Sequence, residues 1–137
     1  MNRADLQKLS NTRIREAKAL FAAGEYSGAY YLAGYAVECA LKACFAKNVK
    51  QYDFPEKGRT DKVFIHNLKE LLTHTGLKDE MDADMKKSAA LAASWEEVIK
   101  WSEASRYFVW KKKDAKELLA AISGRKDGVM PWIKQRW

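Results

Sequence analysis

Apolar positions recur along this chain at helical spacing in several separate stretches. Leu6, Leu9, Ile14, Ala17, Leu20 and Phe21 fall within an arc of roughly 140° at 100° per residue, which predicts an amphipathic first helix. Gly24 supplies its C-terminal stop. A second helix is predicted from about residue 25 to 48. Its apolar residues cover most of the circumference, which places it at the centre of a bundle. Residues 49–64 carry Pro55, Gly58 and a run of charges without periodicity. They read as a long loop, of a length that is uncommon in compact domains and often functional.

His66 then opens a short helix with Leu68, Leu71 and Leu72 on one face, ending near Gly76. A fourth helix is predicted from Asp82 or Asp84 to about Tyr107, with Leu91, Trp95, Val98, Ile99 and Ser102 as its inner stripe. Lys111, Lys112 and Lys113 follow. Asp114, with Glu117 three residues on, suggests a capped start for a fifth helix through Ala115, Leu118, Leu119 and Ile122. Gly124 and Gly128 interrupt that helix, and a tail holding Pro131, Trp132, Ile133 and Trp137 is expected to dock on the rest. The pattern specifies a single all-α bundle.

Composition agrees: the 137 residues are 47% hydrophobic and 31% charged, with two prolines. No apolar run approaches the roughly 20 residues of a membrane helix, and the N-terminus has no signal-like apolar core, so a cytoplasmic protein is expected. Cys39 and Cys44 are five apart on one helix, a rotation of roughly 500°, so they diverge and read as small core residues. The net charge of +7 accompanies five tryptophans and six tyrosines. Such a balance suits phosphate neutralisation and base stacking, and equally a solubilising surface.

The candidate chemistry gathers on the second helix. Tyr31, Tyr35, Glu38 and Lys42 share a sector of roughly 60° on an otherwise apolar rod. Glu38 and Lys42 can pair at i, i+4, forming either the floor of a polar groove or an interhelical network or dimer seam. His66 is an acid–base candidate or a helix cap. Arg106, at the end of the inner stripe, needs a carboxylate or phosphate, and Glu38 is its expected partner, with the lysines from Lys111 onward as a positive rim. No phosphate loop, dinucleotide turn, HExxH helix or CxxC pair occurs, and neither metal nor cofactor is expected.

Three blocks together resemble the HEPN family (higher eukaryotes and prokaryotes nucleotide-binding domain). They are Gly24-x-Tyr26-x-x-Ala29-x-x-Leu32-x-x-x-Ala36-Val37-Glu38-x-x-Leu41-Lys42-Ala43, His66-Asn67-Leu68-x-x-Leu71-Leu72, and Arg106-Tyr107. The resemblance implies an up-and-down bundle of four to five helices, commonly a homodimer. It also implies a nucleotide or RNA ligand and a small nucleotidyltransferase as partner in a toxin–antitoxin pair. Active members of that family cleave RNA without metal through an Arg-x(4–6)-His motif. The chain meets that spacing at Arg59 and His66, although Arg59 falls in the predicted loop and no histidine follows Arg106. The resemblance makes His66 and Arg59 the catalytic candidates; joined to the polar stripe and the basic rim, it makes Tyr31, Tyr35, Glu38, Lys42, Arg106, Tyr107 and Lys111 the candidates for nucleotide or RNA binding. A non-catalytic dimeric interaction module is the remaining alternative.

Overall fold

The computed structural model describes residues 1–48 and 65–137. Arg59, and the loop predicted over 49–64, lie outside the described residues. Within them the chain forms seven α-helices and one 3-10 helix, with no strand. They are α1 (Arg3–Ala22), α2 (Tyr26–Lys47), α3 (Leu68–His74), α4 (Lys78–Lys87), α5 (Ala89–Val98), the 3-10 helix Glu103–Tyr107, α6 (Lys112–Ser123) and α7 (Val129–Lys134).

α1 begins at a capping box in which the Asn2 side chain accepts from the Asp5 amide, and the Asp5 carboxylate accepts from the Asn2 amide. It ends at Gly24, whose φ of 80° suits a residue without a Cβ and reverses the chain within three residues. α1 and α2 therefore pack antiparallel. Phe21 lies edge-on to Tyr26 near the turn, Arg13 lies over Tyr35, and Ser10 meets Ala36 further along. The Ser10 hydroxyl donates to the Ala36 carbonyl at 2.7 Å in a fully buried position.

That closeness follows from small residues. Ala29, Ala33, Ala36, Ala40 and Ala43 of α2 are all fully buried, so neighbouring backbones approach the rod directly. Around it the core is closed by Leu68, Leu71 and Leu72 of α3, Leu118 and Ile122 of α6, and Val129 and Ile133 of α7. Burying each such aliphatic side chain contributes roughly 1.5–3 kcal/mol before the entropy of ordering it. The second helix is central, as its all-round apolar pattern predicts. Cys39 and Cys44 are buried free thiols within it.

Three predicted elements differ in form. The single fourth helix is divided: Ser88 leaves helical geometry at φ −136° and ψ 104°, ending α4 and capping α5, with its hydroxyl accepting from the Leu91 amide. α5 in turn stops at Val98, and the chain resumes as the 3-10 helix. The fifth helix starts earlier than Asp114, because Asp114 is its third residue and its carboxylate accepts from the Lys111 amide at 3.0 Å. The C-terminal tail does dock, as helix α7, with Val129, Met130, Trp132 and Ile133 buried.

Candidate functional site

The polar stripe of α2 is real, and its centre is a buried carboxylate. Glu38 is 1% exposed, and one of its oxygens, Oε1, accepts from Lys42 Nζ at 2.8 Å. The same oxygen lies 2.8 Å from His66 Nδ1. The other, Oε2, is buried and has no partner among the described residues. A carboxylate out of water is costly unless it is paired, and this one is paired on one oxygen only.

His66 is the partner that local sequence could not supply, since 28 positions separate it from Glu38. It does not open α3. Asn67 is the N-cap there, its side chain accepting from the Glu70 amide at 3.0 Å, and His66 stands one residue before it. Its second nitrogen, Nε2, lies 3.2 Å from Glu103 Oε2. The imidazole thus spans a buried and a half-exposed carboxylate. A neutral imidazole carries one N–H and can donate to only one of them, whereas the imidazolium donates to both.

Glu103 was not among the residues singled out from sequence. Its position follows from Trp101, whose indole lies flat against α2 over Gly34. A Cβ at position 34 would come within 2.2 Å of that ring, so only glycine allows the approach. Trp101 is buried and its Nε1 has no partner among the described residues. A glycine inside an apolar helix was the available signal that another element packs closely there. With Trp101 fixed, Ser102 and Glu103 turn back toward His66. Ile65, His66, Asn67, Trp101, Ser102 and Glu103 line a recess of about 290 Å³.

The tyrosines extend the site along α2. Tyr31 stacks on Trp101 with ring centroids 6.0 Å apart and on Tyr35 at 6.3 Å. Burial, with the neighbouring Cys39 and Glu38 in support, raises the Tyr35 pKa. Arg106 does not pair with Glu38 and is not on an inward stripe: it is exposed, with its guanidinium 4.9 Å from the Tyr107 ring centroid. Hydrogen bonding to Tyr107 and then Tyr31 holds its pKa above the ordinary arginine value. The predicted residues thus fall into two groups, Glu38 with Lys42 and His66, and Tyr31 with Tyr35, Arg106 and Tyr107; Trp101, which lines the recess with His66 and stacks on Tyr31, lies between them. Lys111 stands apart, its backbone amide donating to Asp114. Ser102, expected on the inner stripe, is exposed.

Chemically the arrangement offers stacking faces, an exposed guanidinium for an anion, and an imidazole oriented by carboxylates. Among the described residues no group of three or more His, Cys, Asp or Glu is placed to hold a metal ion, and no helix is long and apolar enough to cross a membrane. Compared with protein-family models, with curated proteins and with solved structures, the chain shows no match.

Proposed function

We propose that this is a HEPN-like helical protein that binds a nucleotide or RNA on the polar face of α2, as one component of a nucleotidyltransferase-linked toxin–antitoxin pair and as a homodimer. The observation that carries the reading is an exposed Arg106, without a carboxylate partner among the described residues, next to the Tyr31–Tyr35–Trp101 ring series, whose Trp101 also lines the recess at His66. Guanidinium next to stacked aromatic rings suits a phosphate joined to a base. The basic excess of +7 supports the same ligand class through phosphate neutralisation.

Binding is favoured over cleavage at His66 itself, because Glu38 and Glu103 flank the imidazole and would repel a phosphate brought directly to it. Titration of labelled RNA and of ATP at two salt concentrations tests the reading. Binding that weakens at high salt and falls at least tenfold in Arg106→Ala and Tyr31→Ala supports it. No binding at low salt, with or without a nucleotidyltransferase partner, overturns it.

One observation favours a metal-independent endoribonuclease as the second reading. A buried carboxylate fixes the His66 ring through Nδ1, as acid–base histidines are oriented in hydrolytic sites. There His66 would move the proton of the 2′-hydroxyl and Arg106, or Arg59, would hold the phosphate. Growth inhibition on expression that is lost in His66→Ala would support it; inhibition that persists in that variant would count against it.

A further inference from the structure

Among the described residues the large apolar side chains left in solvent are Met1 and three consecutive residues, Tyr107, Phe108 and Val109, at 75%, 59% and 92% exposure. Isolated exposed apolar residues are ordinary, but three in a row on a fixed segment are not. The segment is held on both sides. Before it, the Phe108 amide donates to the Ser105 carbonyl at 3.2 Å, and Ser105 is buried. After it, the Trp110 amide donates to Ser27 Oγ at 2.9 Å and the indole Nε1–H donates to the Ser105 carbonyl at 2.9 Å. The Trp110 ring is also stacked on the buried Tyr30 at 3.8 Å. Between these anchors Phe108 is extended, at φ −107° and ψ 155°. The tip is thus rigidly displayed, and a partner would not have to order it.

Its flanks carry one sign of charge. Arg106, Lys111 and Lys112 are exposed, and no ion pair joins them to a carboxylate among the described residues. Basic and aromatic character together would also suit single-stranded nucleic acid, but the tip fits that poorly. Val109, its most exposed residue, has no ring face for a base, and Arg106 already lies over the Tyr107 ring. An aliphatic and aromatic tip between exposed cations is complementary to an apolar groove bordered by carboxylates.

We propose that the tip at residues 107–109 docks into such an acidic-rimmed apolar groove on a partner protein. Arg106, Tyr107 and Lys111 are shared with the nucleotide-binding reading, but Phe108 and Val109 take no part in it, so the change at those two positions separates the proposals. The probe is a phage library of a small folded helical-bundle scaffold randomised across one surface groove and selected on the full-length protein, with the selected scaffolds expressed and titrated. The expected winners combine at least two carboxylates with apolar anchors. Their affinity should fall tenfold or more for a Phe108→Ser/Val109→Ser double variant, and similarly for Lys111→Glu/Lys112→Glu. Circular dichroism melts should be unchanged in both, because the altered side chains are exposed. Winners that lack carboxylates, or that bind both variants as well as the native chain, overturn the proposal. So does loss of oligouridylate binding in the Phe108→Ser/Val109→Ser variant, which would make the occupant RNA. Loss of self-association in that variant by analytical ultracentrifugation would make it a second copy and would overturn the proposal equally.

Discussion

Replacing Glu38 by glutamine keeps the size of the side chain and removes its charge, so it measures what the buried carboxylate holds together. In the native chain Glu38 Oε1 takes Lys42 Nζ and His66 Nδ1, each at 2.8 Å, while Oε2 is buried without a partner among the described residues. Removing one member of a fully buried ion pair costs about 3–5 kcal/mol. Here the upper end does not apply, because the Lys42 side chain is 17% exposed and His66 43%, so both can turn toward water. The amide also places its N–H₂ group either toward Lys42 or in the unpartnered Oε2 position, where it finds no acceptor among the described residues. Two charge-assisted contacts weakened and one buried donor left unmade give a destabilisation of about 1–3 kcal/mol. For a domain of this size that is a fall of roughly 3–12 °C in melting temperature. Urea unfolding followed by circular dichroism gives the free energy directly. Glu38→Gln within about 0.5 kcal/mol of the native chain, a spread typical of inconsequential surface changes, would refute the reasoning.

Three further outcomes are expected. Gly34→Ala should destabilise by about 1–3 kcal/mol in urea melts, because a Cβ 2.2 Å from the buried Trp101 ring outweighs the roughly 1 kcal/mol of helix preference gained. Equal or greater stability would show that the indole is not seated there. Burial, with Glu97 and Asp114 adding to it, pushes the Tyr30 phenol from 10.0 up to about 12. A raised folded-state pKa gives stability that is complete below pH 10 and lost as pH climbs toward 12. Native protein should therefore lose about 2 kcal/mol more than Tyr30→Phe between pH 9 and 12, and parallel curves would contradict this. Burial likewise pushes both Cys39 and Cys44 up to about 11, so only ~1% or less of either is thiolate at pH 8. Aromatic-disulfide labelling should be slow in the folded protein and complete in denaturant, whereas rapid native labelling of two thiols would place them outside the core.

The core was legible wherever a helix repeats one face for several turns. α2 declares its central position because apolar residues surround it, and its alanines then explain how tightly α1 approaches. The break at Ser88 was not legible for the complementary reason. Met81 on one side and Leu91 and Trp95 on the other keep an apparent periodicity across it, so the pattern does not register that the axis changes. A serine that caps a following helix leaves only a weak mark in sequence. The contacts of His66 were beyond local pattern altogether: Glu38 and Glu103 reach it from before and after in the chain, and only the packing of Trp101 on Gly34 brings the second of them within range.

Arg106 shows how such a misjudged element alters the chemistry. Extending the Trp95, Val98, Ser102 series at 3.6 residues per turn carries position 106 inward, where it would need Glu38. The helix instead ends at Val98, and the 3-10 turn that follows advances at about three residues per turn, so the phase is lost and Arg106 emerges into solvent. Glu38 is then left to Lys42 and His66, neither of which commits its second oxygen. The guanidinium, spared a carboxylate, stands beside Tyr107 and Tyr31 as a cation with no counter-ion among the described residues. A closed Arg–Glu brace would have made the stripe structural. Separating the two charges instead leaves an imidazole oriented by Glu38 and, in the following 3-10 helix, an exposed guanidinium with no carboxylate partner among the described residues, and the proposed ligand surface rests on that separation.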